Sequence, residues 1–161
     1  MSFTDEDFLR IAIELAQKSR KKGEDPFGAV LVCNGEIMHK AHDQSIINCD
    51  PTSHAELSVI SEYCRLSNNF SLEGYTLYTS TEPCVMCAGA IKWARISKIV
   101  YSVSQCMLQK LSGGRPKPCC DNILNTGKKK IKVVGPLIPE EGVQVFQNYK
   151  FISKEERIKK H

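Results

Sequence analysis

Apolar residues recur along this chain at spacings that switch between helix and strand. Phe8, Ile11, Ala12 and Leu15 fall three and four apart, one face of a helix from Thr4 to Lys22. Thr4, with Asp7 three residues on, supplies the cap that starts it. Gly28 to Cys33 is a short apolar run of the kind a buried strand carries. Asn34-Gly35 is a strong hairpin turn that returns the chain through Ile37 toward Ala41. Leu57, Ile60 and Cys64 mark the buried stripe of a second helix starting near His54. Strands follow at Tyr75 to Thr79 and Ile99 to Val103, with a helix from Cys84 to Arg95 between them. Ser112 to Pro118 is the clearest loop, Lys130 to Val134 a last strand, and Glu140 to Tyr149 a closing helix. A hairpin followed by β-α-β-α-β units predicts an α/β fold of three layers, α-β-α, around a mixed sheet of about five strands.

Composition adds limits rather than detail. The 161 residues suit one domain over 1–161, with a basic helix and tail from about 139 to 161. No apolar run approaches the ~20 residues of a membrane span, and the acidic, amphipathic N-terminus has no signal pattern. A soluble, cytoplasmic protein without membrane partners is expected, and its cysteines beyond the motif below read as free thiols. Charge is uneven: residues 1–114 are net −2 and residues 115–161 net +6. That excess, in Lys128 to Lys130, Lys132 and the tail from Lys150 to Lys160, could attract RNA or serve only as a solvated face.

The chemistry is concentrated in two short segments, His54-Ala55-Glu56 and Pro83-Cys84-Val85-Met86-Cys87. A CxxC pair alone could be a redox dithiol or half of a four-cysteine zinc site. No second CxxC exists, since Cys119-Cys120 is adjacent and wrongly spaced. Cys84 and Cys87 would share one face of a helix's first turn, where the dipole favours thiolates, and Pro83 suits its opening. With His54 they make three ligands for one Zn²⁺, leaving the fourth position for water, as in catalytic sites. Glu56 as a fourth ligand would close that site. Its better role is general base and then acid in a hydrolytic deamination.

With both motifs in this order, the chain resembles the cytidine deaminase-like superfamily, whose zinc deaminases carry this signature. The similarity runs from about Pro26 to Val103. Pro26-Phe27-Gly28-Ala29-Val30, Asp50-Pro51-Thr52 before His54, and Thr81-Glu82-Pro83-Cys84 through Ala88-Gly89-Ala90-Ile91 are similar to its purine-acting branch of guanine deaminases and tRNA adenosine deaminases. The resemblance implies the same five-stranded fold, a homodimer, and a purine base or nucleoside as substrate, with tRNA as the alternative. Tyr78-Thr79-Ser80 and Trp93 look more like guanine-type enzymes, whereas the basic tail looks like the tRNA enzymes. It also implies substrate-binding roles for Phe27, Asp43, Ala55, Trp93 and Asp121, with Glu140 and Glu141 further candidates for closing the pocket. Asp43 stands where the branch usually has an Asn that hydrogen-bonds the base, and a carboxylate accepts hydrogen bonds only. A zinc-stabilised RNA-binding module is the reading from another class, and the retained Glu56 speaks against it.

Overall fold

The computed structural model describes residues 2–160. Helix α1 (Asp5–Lys21) opens with the expected capping box: Thr4 Oγ1 accepts from the Asp7 N–H, and Asp7 reaches back to the Thr4 N–H at 2.9 Å. β1 (Gly28–Cys33) and β2 (Glu36–His42) form the hairpin, with Asn34 and Gly35 both at positive φ, as this tight turn requires. Then follow α2 (Ala55–Ser67), β3 (Thr76–Thr81), α3 (Val85–Trp93), β4 (Lys98–Val103), α4 (Gln105–Ser112), α5 (Asp121–Leu124), β5 (Lys132–Val134), α6 (Pro139–Gly142), a 3₁₀ turn at Val143–Phe146, and α7 (Lys154–Ile158).

The sheet order is β2-β1-β3-β4-β5. β1 runs antiparallel to both β2 and β3, while β3, β4 and β5 are parallel, giving the mixed five-stranded sheet expected. Alternation along the strands divides two cores. Val30, Val32, Tyr78 and Val100 face α1 through Phe8, Leu9 and Ala12. Ala29, Leu31, Leu77 and Ile99 face α2 and α3 through Val59, Ile60, Ala88 and Ile91. Gly28 is required where α1 crosses β1, because a Cβ there would lie 2.2 Å from the Ala12 carbonyl oxygen.

Several expectations need correction. The stripe of α2 is carried by Ala55, Glu56, Val59 and Ile60, with Leu57 and Cys64 only partly buried. The closing helix is one turn of α6 followed by a tighter turn, which brings Val145 and Phe146 inward against Ala16, Val103 and Leu108. Helix α4 was not anticipated, although its marks are legible: Ser104 caps Met107 N–H at 3.1 Å, and Gly113 ends it in the left-handed region. Among the described residues, no helix is long and apolar enough to cross a membrane.

Candidate active site

His54 and Cys84 are the N-cap residues of α2 and α3, and so stand at two helix N-termini whose dipoles favour anionic groups. An Asx turn sets the approach to α2, with Asp50 accepting the Thr52 N–H at 2.8 Å and the Ser53 hydroxyl at 2.9 Å. His54 Nδ1 lies 3.6 Å from Cys84 Sγ and 3.6 Å from Cys87 Sγ. Bonds of about 2.3 Å to sulfur and about 2.0–2.1 Å to nitrogen, at tetrahedral angles, place nitrogen and sulfur about 3.6 Å apart around a shared zinc ion. The trio fits zinc. Hydrogen bonding from Cys87, and then from His54, outweighs burial and pulls the Cys84 pKa down to about 3, so a thiolate is available as a ligand. The Cys84 anion and burial push Cys87 up.

Glu56 lies in the first turn of α2, buried beside the trio, with Oε2 3.6 Å from Cys87 Sγ. The Thr79 hydroxyl donates to its Oε1 at 3.0 Å and fixes its rotamer. Burial raises its pKa, the direction a proton-transfer group needs at neutral pH. Below it, Glu82 holds three elements together. Its two carboxylate oxygens accept the Gln105 N–H at 2.8 Å and the Cys120 N–H at 2.7 Å, while Gln105 Nε2 donates to the Glu82 carbonyl at 2.6 Å. The strand end that leads into Cys84 is thereby tied to the starts of α4 and α5.

A cleft of about 490 Å³ opens over this floor, lined by His54, Glu56 and Cys84. Phe27, Leu108, Tyr149 and Phe151 form its apolar wall, with Tyr149 and Phe151 edge to face at 5.0 Å. Thr81 and Gln105 also line it, each with a buried side-chain oxygen, Oγ1 and Oε1, that has no partner among the described residues. Asp25, Arg115, Lys117 and Lys154 bring charge.

Of the residues singled out from sequence, His54, Glu56, Cys84 and Phe27 line the cleft, and Cys87 lies buried behind them. Ala55 is buried in the core under α2 and Asp43 stands behind the wall, so neither lines it. Trp93 is 81% exposed at the far end of α3, next to Phe70, where it cannot stack on a base in this cleft. Asp121 is exposed and bonded to Asn125. Glu141 pairs with Arg10 on α1, and Glu140 is also outside the cleft. The C-terminal segment differs most from expectation: Phe151 to Lys154 form cleft wall, and Lys154 and Arg157 are engaged by Asp25.

A family model described as the cytidine and deoxycytidylate deaminase zinc-binding region matches residues 2–103. The chain belongs to this family. It is a zinc-binding hydrolytic deaminase, with relatives in the purine-acting branch. A tRNA-specific adenosine deaminase of Buchnera aphidicola (subsp. Baizongia pistaciae) is 38% identical over 143 residues, 88% of this chain and 85% of that protein. The guanine deaminase of Bacillus subtilis is 41% identical over 98 residues, 60% of this chain and 63% of that protein. Among solved structures, one from work on A-to-I editing by tRNA:A34 deaminases superposes with a TM-score of 0.74 at 28% identity, covering 86% of this chain and 97% of that one. The guanine preference read from Tyr78-Thr79-Ser80 and Trp93 is not singled out by these relatives.

Proposed function

We propose that this protein is a cytoplasmic zinc-dependent deaminase that converts adenosine to inosine within transfer RNA. The observation that carries the reading is the extent of the cleft. It runs from the His54, Cys84 and Glu56 floor out to the 113–118 loop, where Arg115 and Lys117 line it. A base seated on the floor leaves its flanking phosphates near those cations, which a free base has no use for. Relatives named tRNA-specific adenosine deaminase point the same way.

His54, Cys84 and Cys87 would hold the zinc, which supplies Lewis-acid activation of water. Glu56 takes one proton of the attacking water to the ring nitrogen, then takes the second from the hydroxyl now bonded to the ring carbon and gives it to the amine, so that the C–N bond breaks, ammonia leaves and the carbonyl forms. Thr79 keeps that carboxylate aimed as its charge changes. Phe27, Tyr149 and Phe151 offer faces for the purine.

Guanine deamination is the second reading, favoured by the Bacillus subtilis relative and by an aromatic wall sufficient for a free base. The homodimer stays a proposal as well: Phe70 and Trp93 share an exposed apolar depression suited to a second copy. Ammonia release from an anticodon-stem hairpin bearing adenosine, set against adenosine, guanosine and guanine, separates the substrate readings. The hairpin should be the fastest substrate. Turnover of free guanine alone would replace the RNA reading with the guanine one.

A further inference from the structure

Asp43 is fully buried, and its two oxygens are treated differently. Oδ1 accepts from the Ser45 N–H at 3.0 Å and from the Ser45 hydroxyl, whereas Oδ2 has no hydrogen-bond partner. The Lys154 ammonium lies 3.7 Å from that orphaned oxygen. Lys154 lines the cleft and Asp43 does not. Lys154 thus reaches from the cleft wall to Asp43, whose carboxylate is its counter-charge.

The hydrogen-bond inventory of Lys154 leaves it work to do. An ammonium has three N–H groups and no acceptor. One goes to Ser45 Oγ at 2.6 Å, and a second leans on Asp25 Oδ2 at 3.2 Å. Asp43 Oδ2, at 3.7 Å, lies beyond hydrogen-bond reach. Two carboxylates neutralise the charge and hold the lysine at the wall, and its third N–H has no acceptor within hydrogen-bond distance among the described residues. Asp25 is in turn held by Tyr149 Oη, which donates at 2.7 Å, and by Arg157.

We infer that Lys154 is a specificity-determining residue, donating a hydrogen bond to an acceptor ring nitrogen of the bound purine. The inference rests on the purine reading above. Adenosine and guanine both carry such acceptors, and replacing a ring nitrogen by C–H removes one without changing shape. The test is the ratio of kcat/KM for a parent substrate to that of its 3-deaza or 7-deaza counterpart. It is measured for wild type and Lys154→Met on the adenosine-bearing hairpin and on free guanine. Because intrinsic reactivity is common to both enzymes, any difference between their ratios belongs to the lysine.

In wild type, one of the two deaza positions should carry a ratio about 10- to 100-fold larger than in Lys154→Met, the range of a charge-assisted hydrogen bond. Lys154→Met leaves the buried Asp43 carboxylate without its counter-charge, while Asp25 keeps Arg157, so the double variant Asp43→Ala/Lys154→Met serves where the single one fails to fold. Removing both partners is milder than removing one, and the same loss of discrimination is expected. Equal ratios in wild type and variant, with purine turnover intact, would overturn the role of Lys154 alone. Wild-type protein that deaminates neither purine would overturn the substrate reading and this inference together.

Discussion

Glu82→Gln removes one negative charge and one acceptor from a site that needs two. Both carboxylate oxygens of Glu82 accept backbone N–H groups, from Gln105 and Cys120, at 2.8 and 2.7 Å, and the residue is buried. A glutamine can satisfy one of these and must turn its own NH₂ toward the other. One charge-assisted hydrogen bond is lost, and one buried N–H is left facing a donor. Each effect is worth about 1–3 kcal/mol, so about 3 kcal/mol together is a fair expectation. At about 2–4 °C per kcal/mol for a domain of this size, the melting temperature should fall by about 6–12 °C. Cys84 follows Glu82 by two residues, so kcat should fall as well while zinc is retained. Thermal unfolding followed by circular dichroism, with zinc content measured on the same sample, reads both effects. A melting temperature within 2 °C of wild type would refute the claim that this carboxylate ties α4 and α5 to the ligand strand.

Glu56→Gln should keep zinc and fold but lose about 10²–10⁴-fold in ammonia release; near wild-type turnover would place the proton shuttle elsewhere. Deleting residues 150–160 should lower both stability and deamination of a free base, because Phe151 to Lys154 are cleft wall; unchanged activity would show that this wall is dispensable. Asp25 reports on the same segment in acid. Burial raises its pKa, but the Tyr149 hydrogen bond, Lys154 and Arg157 outweigh it and hold the group below the ordinary carboxylate value. Its stabilisation is therefore complete above that ordinary value, about pH 4, and disappears as pH falls through the lowered value. Hydrogen exchange of residues 147–160 should rise only below about pH 4; a rise between pH 6 and 8 instead would contradict the pairing.

The periodic elements were legible because burial on one face leaves a period in the sequence. α1, β1 and the hairpin turn appear where Thr4, the Gly28 to Cys33 run and Asn34-Gly35 place them. The zinc ligands were legible because their chemistry demands particular residues at short spacing. The cleft wall was not. Lys154 and Asp25 meet across 129 positions of chain, and no local pattern records an ion pair formed by tertiary folding. A charge run such as Lys150 to Lys160 reads the same whether it is solvated or docked. Trp93 misled for a related reason: indole suits stacking, but the side of α3 it occupies is set by packing that its own neighbours do not encode.

X-ray absorption at the zinc edge of the purified protein bears most directly on the trio. About one zinc per chain is expected, with two sulfur neighbours at about 2.3 Å and two nitrogen or oxygen neighbours at about 2.0–2.1 Å. In Cys84→Ser one sulfur should disappear, while in Glu56→Gln the spectrum should be unchanged. Protein purified without zinc, a four-sulfur environment, or a spectrum altered by Glu56→Gln would contradict a three-ligand catalytic site at His54, Cys84 and Cys87.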